Sequence, residues 1–219
     1  MKTSMRAAML VGALIAGVAA PFPVFAIIYP LDYVFSPSVG PVTPLGTVTL
    51  TDLGASVQFD VLNQAGTGTK LDSLYFNFAH GSLNPNQLTF SNVSAAASTY
   101  NTLLATSTSA TVAGLKADGD GYFDGKFAYS ANNFLGHGQT LSFRLNATGQ
   151  DLDVSDFHLF SLPGGGAGSY IMASHIQSLP DGSSLWVGTV APVPLPAAVW
   201  LFGSGVAGVI AFARRRWSV

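Results

Sequence analysis

The sequence predicts an all-β protein, a jelly-roll-like β-sandwich, and three observations carry that prediction. Apolar and polar residues alternate in period two, with Val57, Phe59 and Val61 around Gln58 and Asp60, and Leu141, Phe143 and Leu145 around Ser142 and Arg144. An extended chain sends successive side chains to opposite faces, so each such run has one face to bury. Gly, Pro, Asn and Asp recur between the runs at short spacing, the turn chemistry of a sandwich. No segment of the interior carries a convincing helical period, and no fixed repeat points to a propeller or solenoid.

The elements follow in chain order. Lys2 and Arg6 precede the apolar run Ala7 to Ala20, and Pro21 to Ala26 ends in Val24-Phe25-Ala26. A charged start, a short apolar run and a small-residue site make a signal peptide over 1–26, cut by signal peptidase between Ala26 and Ile27. As a helix the run spans about 21 Å, short of the roughly 30 Å hydrocarbon core, which disfavours a permanent anchor. Residues 27–190 form the exported domain. Strands are expected at Gly46 to Thr51, around Val57 to Val61, in Leu71 to Ala79, at Gln87 to Val93, Ser107 to Leu115 and Tyr122 to Ser130, around Leu141 to Leu145, and at Val154 to Ser161, Ser169 to Gln177 and Ser184 to Val190. The Ala-, Ser- and Thr-rich stretch Ser94 to Thr111 is expected to include an exposed loop.

Charge narrows the partners. The 219 residues hold 9 Lys and Arg against 11 acids, and every acid is Asp. Five cations lie at the ends, so Lys70, Lys116, Lys126 and Arg144 alone face eleven Asp in the interior, a formal charge of −7. Nothing there holds a nucleic-acid backbone. The absence of Cys removes disulfides, thiol nucleophiles and thiolate metal sites.

The C-terminal part, 191–219, has its own grammar. Pro192, Pro194 and Pro196 fix an extended segment, Ala197 to Ala213 is an uncharged run long enough to cross a membrane at the short limit, and Arg214, Arg215 and Arg216 form a cytoplasmic stop. The exported domain then lies outside the inner membrane.

Val193, Pro194, Leu195, Pro196 and Ala197, the apolar run containing Trp200-Leu201-Phe202-Gly203-Ser204-Gly205, and the terminal Arg cluster together resemble a PEP-CTERM sorting tail in its VPLPA variant. Leu195 stands where the namesake motif has Glu. The resemblance covers Val193 to Val219 and implies processing by an exosortase of a Gram-negative bacterium, followed by release to the cell surface or to extracellular polysaccharide. The alternative is a plain Pro-rich linker on a permanent anchor. Leu71 to Phe78, and His175 to Leu179 before Trp186-Val187-Gly188, are similar to ectodomains carried by PEP-CTERM proteins, which implies no catalytic residue.

The polar chemistry is sparse. Asp118, Asp120 and Asp124 alternate with glycines and can converge on Ca²⁺, which takes roughly six to eight oxygens; Asp-Gly pairs are equally the chemistry of a plain hairpin turn. Tyr122 breaks the EF-hand pattern. His80, His137, His158 and His175 are scattered, with His137 expected in a loop and His158 and His175 in hydrogen-bonded structural roles within strands. No Gly-x-Ser-x-Gly elbow occurs, Gly125-Lys126 lacks the rest of a phosphate loop, and Asp151, Asp153 and Asp156 solvate a turn more simply than they hydrolyse a glycoside. The expected function is that of a non-enzymatic surface or matrix protein with no cofactor. The alternative is a Ca²⁺-assisted carbohydrate-binding module in which Tyr122 or Trp186 stacks on sugar rings.

Overall fold

The computed structural model describes residues 25–79, 82–94, 100–104, 115–118, 121–129, 134–164, 169–190 and 193–194. Two antiparallel sheets dominate it, with strands numbered in chain order. The first runs β17 (Val193–Pro194), β1 (Ala26–Pro30), β4 (Gly46–Asp52), β5 (Ser56–Asn63), β13 (Thr140–Ala147) and β7 (Leu88–Ser91). The second runs β3 (Gly40–Pro41), β2 (Tyr33–Ser36), β16 (Leu185–Thr189), β15 (Met172–Gln177), β6 (Lys70–Phe76), β11 (Gly125–Tyr129) and β8 (Tyr100–Leu104), with β12 (Leu135–Gly136) also paired to β6. A small third sheet joins β14 (Leu162–Pro163), β10 (Gly121–Tyr122) and β9 (Lys116–Ala117).

The period-two runs became the two strands at the heart of the first sheet. In β5, Val57, Phe59, Val61 and Asn63 are buried while the residues between them are half-exposed, and β13 repeats the pattern with Leu141, Phe143, Leu145 and Ala147. Phe59 pairs with Phe143 in register. Their rings stack at 4.8 Å, Phe143 stacks in turn on Phe127 of the second sheet at 4.9 Å, and Phe59 meets Phe76 there at 5.2 Å. Phe157 closes the group edge-on to Phe59 at 5.1 Å. This aromatic stack ties the two inner faces together, each good ring pair adding about 0.5–1.5 kcal/mol beyond area burial. Buried Asn63 donates to the Leu135 carbonyl at 2.8 Å, and buried Asn77 donates to the carbonyls of Leu159 and Ile171 at 3.1 and 3.2 Å, so both amides are satisfied.

Two expected strands are corrected. Tyr122 to Ser130 is not continuous: β10 belongs to the small sheet and β11 to the second. The reason is parity. Phe123 and Phe127, four apart, would share a face in one strand, yet Phe127 enters the central core while Phe123 packs on the opposite side of the second sheet with Tyr75 and Tyr170. Gly125 serves that break, since a Cβ there would lie 2.3 Å from the Phe76 ring. Val154 to Ser161 is likewise not a strand but a 3₁₀ turn over Val154–Phe157. Asp153 accepts from Ser155 N–H at 2.9 Å and Asp156 accepts from Asp153 N–H at 3.0 Å, a reciprocal cap that buries Val154 and Phe157, three apart, on one side. His158 caps that turn instead of lying in a strand. Strands β1 and β2 were not expected, and β8 lies inside the stretch read for its loop.

Residues 1–24 and 195–219, with the charged start and apolar run of the expected leader, Leu195, Pro196, Ala197 and the run expected to cross a membrane, lie outside the described residues. Ile27 is the second residue of β1, and the backbone of Val193 and Pro194 pairs with Ile28 and Ile27. Among the described residues no helix is long and apolar enough to cross a membrane.

Candidate functional site

The outward faces of the two sheets differ in kind. On the first sheet, short polar groups pair with one another: Ser142 Oγ donates to Asp60 at 2.5 Å and Arg144 Nε donates to Gln58 Oε1 at 2.9 Å. On the second sheet the outward face is aromatic. Phe35, Tyr75, Phe123 and Tyr170 are buried there, with Tyr33 and Trp186 partly buried against them. The small sheet contributes Ala117 to this cluster, and Tyr170 seals it by stacking on Phe35 at 4.5 Å. Gly188 lies under Tyr170, where a Cβ would come within 2.7 Å of the ring.

At the uncovered margin of this cluster a β-bulge assembles a polar group. Ser73 stands opposite His175, but Leu71 stands opposite Ile176, so Asp72 is left without a partner across the ladder. The extra residue keeps both Leu71 and Leu74 in the core and turns Asp72 toward His175. His175 Nδ1 lies 2.8 Å from Asp72 Oδ2. A carboxylate only accepts, so Nδ1 carries the proton. Gln177 Nε2 donates to the same oxygen, and Ser73 Oγ donates to Asp72 Oδ1 at 2.7 Å. Burial pushes the Asp72 carboxyl up, but the hydrogen bonds from His175, Ser73 and Gln177 and the charge of His175 together outweigh it and hold the group below its ordinary value.

This carboxylate fixes the imidazole, and the imidazole fixes a tryptophan. The His175 ring stacks on Trp186 at 4.7 Å and 24°. Trp186 also meets Tyr75 at 5.6 Å, and Lys126 Nζ sits 4.8 Å from the Tyr75 ring centroid. The group lines a shallow open depression of about 320 Å³ together with Tyr129 and Phe134. Phe134 also lines a second depression of about 350 Å³, together with Lys70, His137 and Gln139.

An Asp–His pair invites comparison with hydrolases, yet among the described residues no nucleophile completes it. Ser73 Oγ is given to Asp72 and Ser174 Oγ donates to the Ser73 carbonyl at 2.5 Å. Among the described residues no hydroxyl forms a hydrogen bond with His175. What the arrangement does offer is a partly exposed Trp186 ring set against buried aromatics and bordered by hydrogen-bonding and cationic groups.

Of the acidic trio expected to hold Ca²⁺, Asp118 and Asp124 fall within the described residues. Asp118 is exposed, with φ +42°, at the turn between β9 and β10, while Asp120 lies outside the described residues. Asp124 Oδ2 accepts from Phe78 N–H at 3.1 Å. Among the described residues no three metal-ligating side chains gather. Trp186, named from the sequence as a stacking residue, is at the site, whereas Tyr122 lies in the small sheet under Lys116 Nζ, 5.2 Å from its ring centroid. Asp72, Gln177, Tyr75 and Lys126 are not among the binding residues expected from the sequence. Their signal was a matter of spacing: Leu71 and Leu74 break period two by one residue, and that break is the bulge.

The segments resembling ectodomains of sorted proteins, Leu71 to Phe78 and His175 to Leu179 before Trp186-Val187-Gly188, fall largely on the paired strands β6, β15 and β16 that build this site. No protein-family model matches the chain, and no curated protein matches it. Solved structures similar to it include a biomass-sensing module from putative Rsgi-like proteins of Clostridium thermocellum, described as resembling the family 3 carbohydrate-binding module of the cellulosome. It is 13% identical, the match covers 74% of this chain and 95% of that one, and the TM-score is 0.31. A family IIIa CBD from Clostridium cellulolyticum is 14% identical over 69% of this chain and 89% of that one, with a TM-score of 0.32. Likeness at these scores carries nothing about ligand or site.

Proposed function

We propose that this chain is a non-catalytic glycan-binding protein of the cell surface, whose binding face is the outer side of the second sheet around Trp186. The observation that carries the reading is the Trp186–His175–Asp72 chain of contacts. A ring held on one side by a stacked imidazole, itself fixed by a carboxylate, is a pre-organised platform for the apolar face of a sugar. Hydrogen bonding falls to Lys126 and the edge of His175. The depression is open and shallow, which suits a polymer passing across it better than a small molecule enclosed in a pocket. A glycan array probed with the full-length chain in detergent tests this. Binding should appear on polysaccharides and be lost in Trp186→Ala, with the circular-dichroism spectrum and melting temperature preserved. An array without signal, or full binding by the variant, refutes the assignment.

We further propose that the leader ending at Ala26 exports the domain and that the tail from Val193 is sorted by an exosortase. The ordered succession of Val-Pro-Leu-Pro-Ala, apolar run and Arg cluster favours this. The described chain begins and ends at one edge of the first sheet, where β17 pairs with β1, while the glycan face belongs to the other sheet. A domain held at that edge keeps its binding face free.

A further inference from the structure

We propose that the glycan is polyanionic, a carboxylate- or sulfate-bearing chain that runs from the Trp186 depression past Phe134 into the second depression, with Lys126 and Lys70 each receiving an acid group. This rests on the glycan-binding reading and adds the ligand's charge and length. The interior of the chain has only four cations against eleven Asp. Two of the four border these adjoining depressions, Lys126 in one and Lys70 in the other. Each ammonium is steered by a ring rather than by an acid: Lys126 Nζ is 4.8 Å from the Tyr75 centroid and Lys70 Nζ is 5.4 Å from that of Phe134. Among the described residues neither forms a salt bridge.

Among the described residues Asp72 is the single carboxylate lining either depression, and His175, Gln177 and Ser73 already occupy its oxygens. The groove is therefore a cationic strip on an acidic domain. Aromatic neighbours strengthen its field by displacing water from one side of each ammonium. Lys70 begins β6, and Lys126 pairs with Tyr75 near its end. That separates the two by roughly 15 Å at about 3.3 Å per residue, allowing for the bulge. No single sugar ring spans it, so the occupant is a chain.

Affinity electrophoresis of the full-length chain in detergent tests the proposal, with polygalacturonate, alginate and hyaluronate set against methyl-esterified polygalacturonate, dextran and cellulose oligomers. Retention by at least one acidic polymer should exceed retention by every neutral one and weaken as NaCl is raised past the Debye regime. Lys70→Gln and Lys126→Gln should each lower the affinity about two- to fivefold, the range of an exposed ion pair. Lys70→Arg, Lys126→Arg and, away from the groove, Lys116→Gln should bind as wild type. Equal or stronger binding to the neutral polymers, independent of salt and of both lysines but still lost in Trp186→Ala, overturns the charge inference and leaves glycan binding standing. Binding to none of the six, with no signal on the array, overturns both.

Discussion

Asp72 shows how one displaced residue does work at two levels, since its departure from the ladder keeps Leu71 and Leu74 inward and its carboxylate locks His175 beneath Trp186. Its folded pKa is depressed, so the stabilisation it contributes is present above the unfolded value, near 3.8, and is lost as pH falls through the lower folded value. Acid titration followed by circular dichroism should therefore show part of the stability disappearing below about pH 4. Asp72→Asn should remove that acid step at a cost of about 1 kcal/mol at neutral pH, the upper end for a partly exposed pair. If the variant keeps the wild-type acid profile, another carboxylate governs it. Tyr29 offers a contrast at the same scale. Its hydroxyl is buried without a partner among the described residues, and burial pushes its pKa up to about 12. Tyr29→Phe should leave thermal stability equal or raise it, because an unpaired buried hydroxyl costs about 1–3 kcal/mol; a fall in melting temperature would reveal a partner.

Among the elements, β5 and β13 were legible because strict alternation leaves one interpretation of which face is buried. Phe143→Ala should cost about 3–5 kcal/mol in urea unfolding, since its ring bridges Phe59 and Phe127 across the sheets and no neighbour can collapse into the space; a loss under about 1 kcal/mol would mean the stack is not the keystone of the core. The 3₁₀ turn at Val154–Phe157 mimics a strand because Leu152 and Val154, and Phe157 and Leu159, are each two apart, and only the odd step from Val154 to Phe157 and the capping role of Asp153 and Asp156 break that period. The break between β10 and β11 was hidden for a related reason. Local pattern reports that Phe123 and Phe127 are buried but not that they are buried on opposite sides of a sheet.

For the whole molecule, the topology sets the two ends of the described chain at one sheet edge and the aromatic face on the other sheet. Sorting predicts that wild type loses its C-terminal segment in a host with the matching exosortase, with a mature N-terminus at Ile27 by peptide mass spectrometry. Pro194→Ala combined with Pro196→Ala should persist intact in the inner membrane. A wild-type chain that stays full-length there, beside a substrate that is processed, would make the tail an ordinary anchor.

The sequence by itself determined the all-β class, the strands whose polarity alternates and the acidic interior, because each is a property of neighbours along the chain. Only the tertiary structure decided the site. Asp72 and His175 are 103 residues apart, Lys126 meets Tyr75 through strand pairing, and Trp186 joins them from a fourth strand. Residues on adjacent strands become neighbours through register, and here that register carries a bulge whose position follows from packing Leu71 and Leu74 on one core face, a condition set by the opposing sheet.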